Sequence, residues 1–119
     1  MIQIFGTLKN FDVKTAQRWF SERRIAVQFV DLKEKEMSRG EFESVLDAIA
    51  RETGSTSDAI DQMIDKKSKD YADIAYLDDS QKADKLFENQ LKLLKQPVCR
   101  NGKLSATVGL AQKTWENWK

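Results

Sequence analysis

The start of the chain reads as a strand, a helix and a second strand, and this order constrains the fold more than any other feature. "IQIF" at residues 2–5 is apolar with one polar interruption and runs into Gly6, which is typical of a buried strand. Apolar side chains at helical spacing predict a helix over about residues 11–24. "AVQFVDL" at residues 26–32 predicts the second strand. Two strands joined by a helix are expected to be parallel, with a right-handed crossover.

The sixty residues that follow are predominantly helical in pattern. Ser38 and Glu41 have the spacing of a capping box and open a predicted helix. "ETGSTSD" breaks that helix, and Ser57 is predicted to cap a shorter one. The apolar positions of these two helices are Phe42, Val45, Leu46 and Ile49, then Ile60, Met63 and Ile64.

A further helix is predicted after an irregular connector, "DKKSKDYADIAYLDDS". Either Ser80 or Asp79 is suited to cap it. Its predicted apolar stripe consists of Ala83, Leu86, Phe87, Leu91 and Leu94.

The last third predicts a hairpin and a short helix. "QPVCR" and "KLSATVG" resemble strands, and Asn101-Gly102 between them is a strong hairpin signal. Leu104, Ala106 and Val108 alternate with polar residues and are predicted to lie on one buried face. The terminal "LAQKTWENWK" is predicted to be a helix that carries Trp115 and Trp118. The complete order predicts one α/β domain over residues 1–119, with a four-stranded mixed sheet.

The composition excludes several kinds of site. The 119 residues contain one cysteine, Cys99, and no histidine. An internal disulfide, a zinc site of Cys and His ligands, a Ser-His-Asp triad and a two-cysteine redox motif are therefore excluded. Twenty Lys and Arg residues against nineteen Asp and Glu residues give a net charge of +1, which gives no reason to expect nucleic-acid binding. The sequence shows neither a signal peptide nor an apolar run of membrane-spanning length, so we expect a cytoplasmic protein. We also expect it to be a monomer.

Four segments in this order resemble the arsenate-reductase-like family of thioredoxin-fold proteins. They are "GTLKN", "KTAQRWF", "KKSKDY" and "LLKQPVCRNGK…TVG" before a tryptophan-bearing helix. The family includes glutathione-dependent arsenate reductases, Spx transcription regulators and glutaredoxin-related proteins. The resemblance implies a thioredoxin-like fold over nearly the full length, with a helical insert at about residues 35–80.

The resemblance also implies what has changed at the family's reactive site. The family's cysteine lies four residues after the loop glycine and six before the alanine of the helix, and both counts reach Asn10. Gln96 stands where the family has an arginine before its cis-proline, Pro97, and Lys67 stands where the insert has another arginine. Asn cannot act as a thiolate nucleophile, but it is a favourable N-cap residue.

The residues around this site leave two interpretations open in each case. Asn10 either caps the helix or contacts a substrate through its side-chain amide. Phe11 is either an exposed contact residue or a buried plug that fills the substrate pocket. Lys9, together with Lys66, Lys67 and Lys69, either lines an anion site or is merely solvated.

Two further features also carry alternatives. Cys99 is either a buried structural residue or a displaced reactive thiol. Trp115 and Trp118 either dock on the sheet or form a patch for a protein partner.

The sequence therefore predicts an arsenate-reductase-like protein without arsenate reductase activity, because Asn10 and Gln96 replace the family's Cys and Arg. The expected remaining role is binding or regulation, with an unidentified protein partner, a small anion or a thiol as the ligand, and with no cofactor or metal. Two alternatives are a glutathione- or glutaredoxin-linked oxidoreductase, with glutathione as co-substrate, and an Spx-like regulator that binds RNA polymerase.

Overall fold

The computed structural model describes residues 1–118 and confirms the predicted α/β order. The strands are β1 (Ile2–Gly6), β2 (Val27–Asp31), β3 (Val98–Asn101) and β4 (Ser105–Val108). The helices are α1 (Phe11–Glu22), α2 (Arg39–Thr53), α3 (Thr56–Met63), α4 (Asp79–Glu88), α5 (Gln90–Leu93) and α6 (Gln112–Trp115), with short 3-10 helices at Tyr71–Asp73 and Glu116–Trp118. None of the helices within residues 1–118 is long and apolar enough to cross a membrane.

The four strands form one mixed sheet in the order β2-β1-β3-β4. Strand β1 is parallel to β2, as predicted for the strand–helix–strand unit, and antiparallel to β3, which pairs antiparallel with β4. Ile4 and Cys99 pair across β1 and β3 and pack with the aromatic residues of α1 and α6. Phe5 and Val98 pack with residues of helices α2 to α5. The sheet is therefore covered by helices on both faces.

Two helices begin earlier than the sequence predicted. Ser55, and not Ser57, caps α3, because its side-chain oxygen accepts from the backbone N–H of Asp58 at 3.0 Å. Asp78, and not Asp79 or Ser80, caps α4 and forms a capping box with Gln81. In both cases the observed cap places its own side chain over the third N–H of the helix, which is the geometry an N-cap needs. The predicted capping box of α2, between Ser38 and Glu41, is confirmed.

The predicted helix with the apolar stripe from Ala83 to Leu94 is two helices separated at Asn89. The break turns Gln90 inward, where its side-chain oxygen accepts from Met37 N–H at 2.8 Å and its side-chain nitrogen donates to Met37 O at 3.0 Å. A buried amide with both polar groups satisfied stabilises this turn against continuation of the helix. As a consequence Leu91 is 44% exposed, so its predicted place in the buried stripe is wrong.

The hairpin forms as predicted, but Leu104 lies in its turn and not in a strand. The pairing of Asn101 with Ser105 leaves three residues in the loop, and Gly102 has a φ of 65°. Leu104 is 79% exposed, whereas Ala106 is buried in the core. The buried positions of this strand therefore begin at Ala106 and not, as predicted, at Leu104.

The terminal tryptophans lie against the sheet. Trp115 is fully buried, and its indole N–H donates to Thr107 Oγ1 at 2.8 Å. The indole N–H of Trp118 donates to Ser105 Oγ at 3.0 Å, and its ring is partly buried. Both side chains thus fix the C-terminal segment to β4.

Candidate functional site

The loop between β1 and α1 is a tight turn that ends in a capped helix. Asn10 N–H donates to Thr7 O at 3.1 Å, and Asn10 Oδ1 accepts from Val13 N–H at 3.1 Å. Asn10 is thus the N-cap of α1, with an extended backbone. A Cβ at Gly6 would collide with the Val13 side chain, so the missing side chain of Gly6 lets α1 approach the end of β1.

A second segment meets this loop from the other side of the fold. The Gln96-Pro97 peptide bond is cis, as the family resemblance implied. Gln96 Oε1 accepts from Thr7 N–H at 2.7 Å and from Thr7 Oγ1 at 3.2 Å. The residue before Pro97 is therefore tied directly to the loop that contains Asn10.

These hydrogen bonds fix which way the two side-chain amides point. A backbone N–H is only a donor, so the group facing Val13 N–H must be the oxygen of Asn10, and the group facing Thr7 N–H must be the oxygen of Gln96. The NH₂ groups of Asn10 and Gln96 have no partner within residues 1–118. The site therefore presents two amide donors to any ligand beside them.

Both amides line a cleft of about 630 Å³. Its walls come from the start of α1, the end of α3 with the connector after it, the segment between α5 and β3, and the end of β4. The lining residues are Asn10, Asp12, Asp61, Gln62, Ile64, Asp65, Lys66, Lys67, Lys95, Gln96 and Val108. The structure therefore brings together four of the residues proposed from the sequence: Asn10, Lys66, Lys67 and Gln96.

Five other residues proposed from the sequence lie outside the lining of this cleft: Lys9, Phe11, Lys69, Pro97 and Cys99. Lys9 is exposed on the loop, and Phe11, the first residue of α1, exposes 76% of its surface, so it does not plug a pocket. Pro97 is buried. Cys99 is fully buried on the face of the sheet that carries Trp115.

The ionisable groups of the cleft are balanced in charge. Three aspartates and three lysines line it. Lys66 Nζ lies 2.6 Å from Asp61 Oδ1, and the hydrogen bond to Asp61 raises the pKa of the Lys66 ammonium above its ordinary value. Asp65 Oδ1 accepts from Lys67 N–H at 3.0 Å, which shapes the turn after α3.

The structure is similar to solved proteins related to arsenate reductases. A proposed ArsC-family-related protein from Bacteroides fragilis superposes with a TM-score of 0.80 at 14% identity, over 99% of this chain and 97% of that one. A proposed arsenate reductase from Yersinia pestis gives a TM-score of 0.76 at 16% identity, over 98% and 99% of the two chains. An arsenate reductase from Vibrio cholerae gives 0.69 at 16% identity, over 90% and 87%.

The chain has the arsenate-reductase-like fold. The resemblance inferred from the sequence is therefore confirmed at the level of the fold. In sequence, no family model matches the chain, and no curated protein matches it. Identities below one fifth establish the architecture, and the activity has to be argued from the site.

Cys99 lies in the core of this fold, where its thiol is inaccessible to solvent and to a ligand in the cleft. Burial raises the pKa of the Cys99 thiol from 9.0 to about 12, against a smaller lowering from its hydrogen bond to Thr107. The side chain is neutral at physiological pH and faces Ile4 and Trp115 in the core. Since the thiolate is the nucleophile in cysteine chemistry, this residue does not supply one to the cleft.

Sequence reasoning missed several residues of the cleft. Lys95 directly precedes the Gln96-Pro97 pair, so its neighbourhood could have been anticipated from the resemblance. Asp61 and Asp65 come from the end of α3 and the following turn, and no sequence pattern connects them with Asn10. Their position depends on how α3 packs, which is a tertiary property.

Proposed function

We propose that this chain is a divergent arsenate-reductase-like protein that binds a small ligand in the cleft without covalent chemistry. The observation that carries the proposal is the pair of oriented amides. Asn10 and Gln96 each use their oxygen to accept from the backbone and keep an NH₂ group for a ligand. The site binds groups that accept hydrogen bonds, such as carboxylate, phosphate or carbonyl oxygen.

Loss of thiol chemistry follows from the same site. The family resemblance puts the nucleophile at position 10, where an amide forms the helix cap in this chain. Cys99, the single thiol of the chain, is buried on the far side of the sheet and faces away from the cleft. Reduction of arsenate through a cysteine–arsenate adduct therefore has no nucleophile in this cleft.

Two lysines complete the donor side of the cleft. Lys67 and Lys95 line it together with the two amides, and neither makes an ion pair within residues 1–118. An ammonium group attracts an acceptor without imposing the fixed geometry of an arginine fork. The proposed site thus combines two amide NH₂ donors of fixed orientation with the ammonium groups of two lysines.

Titration followed by NMR tests the proposal. Acetate, phosphate and arsenate are added separately to the labelled protein, and we expect amide shifts concentrated at residues 7–13, 67 and 96. Asn10→Asp and Gln96→Glu retain the oxygen that accepts from the backbone but remove the NH₂ donor. Each is expected to weaken acetate binding by at least about tenfold, because the NH₂ donor is lost and the new carboxylate repels the anion.

Lys69→Gln is the matched control, because Lys69 is exposed on the connector and outside the cleft lining. It is expected to leave the titration unchanged. If none of the three anions shifts the cleft residues, or if Asn10→Asp binds acetate like the wild type, the proposal is wrong.

The oxidoreductase alternative is tested in the same protein. Arsenate turnover with glutathione and glutaredoxin as reductants is expected to be absent. Turnover that disappears in Cys99→Ser would restore the enzymatic alternative and overturn the proposed loss of chemistry.

A further inference from the structure

We propose that strand β2 is an interface through which two copies of this chain pair, antiparallel, so that their sheets become continuous. This inference goes beyond the proposed function and does not depend on the cleft. It departs from the monomer expected from the sequence. It is carried by the backbone groups that β2 directs away from its own sheet and by the opposite charges at the two ends of the strand.

Strand β2 forms one outer edge of the sheet and has unpaired backbone groups there. Leu32 N–H donates to Gly6 O at 3.0 Å, so Leu32 and alternate residues before it face β1. Val27 and Phe29 therefore direct their N–H and C=O groups outward. These outward groups have no backbone partner within residues 1–118.

The opposite edge of the sheet, β4, is less accessible. Helix α2 lies against β4, and Ala106 is only 1% exposed. Arg51 Nη2 donates to Leu104 O at 3.3 Å at the start of that edge. The side chains of Val27 and Phe29, in contrast, are half-buried. An edge strand with unpaired backbone groups and apolar side chains is a template for pairing with another chain, and β2 has these properties.

One register lets the open edges of two copies satisfy each other. Asp31 C=O already accepts from Glu34 N–H at 3.0 Å and from Lys35 N–H at 2.9 Å, so the open stretch ends at Asp31. When Phe29 lies opposite Phe29 of the second copy, each N–H donates to the other C=O. In the same register Asp31 N–H donates to Val27 C=O of the second copy. A two-fold axis repeats each of these hydrogen bonds.

The charges at the ends of β2 are complementary in this register. Arg24 precedes the strand and Glu34 follows it, both side chains are exposed, and neither makes an ion pair within the described residues. Antiparallel pairing about Phe29 brings Arg24 of each copy beside Glu34 of the other. Lys33 offsets part of this attraction. A parallel arrangement would place Arg24 beside Arg24, so the charge pattern favours an antiparallel second copy.

Pairing also covers apolar side chains at the edge. Ile25, Val27 and Phe29 lie on one face and pack, partly buried, against the cluster that contains Trp115. The second copy adds its own Phe29 directly opposite, and aromatic pairs facing each other across strands stabilise a sheet. The contact involves one strand from each copy, so the interface is small and we expect a weak dimer that depends on concentration.

Sedimentation velocity of the full chain, from about 10 μM to about 1 mM, tests for the dimer. Amide hydrogen exchange measured by NMR over the same range locates the interface. Exchange at Phe29 and Asp31 is expected to slow as the concentration rises, whereas Val30, already paired with β1, is expected to show no change. A chain that stays monomeric at the highest concentration, or a dimer with unchanged exchange at Phe29, would overturn the proposal.

Charge reversals test the register at exposed positions. Arg24→Glu and Glu34→Arg are each expected to raise the dissociation constant about tenfold, because the two-fold axis turns both attractions into repulsions. Combining the two substitutions is expected to restore wild-type association. Lys103→Glu, in the hairpin turn at the other edge, is the matched control and is expected to change nothing. A double variant that associates no better than the single variants would show that this pairing is wrong.

Discussion

The side-chain oxygen of Gln96 accepts a hydrogen bond from the backbone N–H of Thr7 at 2.7 Å. Thr7 and Gln96 are 89 residues apart in the sequence, and this contact joins the loop before α1 to the segment before β3. The same side chain that fastens the two segments also offers its NH₂ group to the cleft. Gln96 therefore ties the two segments together and, in the proposed function, also binds the ligand, and substitutions can separate these two roles.

Gln96→Ala is expected to lower the free energy of unfolding by about 1–3 kcal/mol, because it leaves the N–H of the buried residue Thr7 without an acceptor. Gln96→Glu keeps an acceptor at the same distance and is expected to cost clearly less. Urea denaturation of both variants measures the difference. Equal stability of Gln96→Ala and the wild type would show that the hydrogen bond contributes nothing to folding.

Asn10→Cys is expected to create a reactive thiol at the start of α1. Unpaired N–H groups and the helix dipole stabilise a thiolate there, so its pKa is expected to fall below the ordinary value of about 8.5. The measurement is the rate of alkylation by iodoacetamide against pH, in a Cys99→Ala background. An alkylation profile equal to that of free cysteine would contradict the proposed environment of position 10.

Cys99 is expected to make stability depend on pH in the alkaline range. Burial raises the pKa of the folded thiol from 9.0 to about 12, so the folded state holds the proton more tightly than the unfolded chain. This contribution is fully present below pH 9 and is lost as the pH rises towards 12, by about 1.4 kcal/mol per pH unit. The test is the difference in slope between the wild type and Cys99→Ala from pH 8 to pH 10. Identical slopes would mean that the thiol ionises without unfolding.

Gly6→Ala is expected to destabilise the fold by about 1–3 kcal/mol, because the added methyl group would collide with Val13 and force α1 away from β1. Gly40→Ala is the matched control, since a Cβ at that position of α2 has no heavy atom within 4 Å. It is expected to stabilise the protein by up to about 1 kcal/mol, through higher helix propensity. Thermal unfolding of the two variants should therefore move in opposite directions.

Local patterns predicted the elements of the fold well, because each depends on neighbours in the sequence. The helix after Asn10, the capping box of Ser38 and Glu41, and the hairpin at Asn101-Gly102 all form. The largest error in the helices occurs where a distant residue intervenes. Gln90 turns inward to bind Met37 and ends α4, although the apolar spacing alone favoured a continuous helix.

The candidate site was predicted in part. Asn10, Lys67 and Gln96 were identified through family resemblance, and the structure places all three around one cleft. Asp61 and Asp65 were not identified, because their distances from Asn10 depend on the packing of α3. Lys95 was also missed, although it directly precedes Gln96 in the sequence. The exposure of Phe11 and the burial of Cys99 likewise could not be read from residue type.

The sequence by itself determined the order of the elements, the cap of α1 and the absence of a thiol at position 10. These properties depend on periodicity, on turn chemistry and on the identity of single residues. The tertiary structure alone decided that Gln96 binds Thr7, that Cys99 faces the core, and that acids and lysines from separate segments line one cleft. The physical reason is that hydrogen bonding, burial and ion pairing depend on distances between residues far apart in the chain, and folding sets those distances.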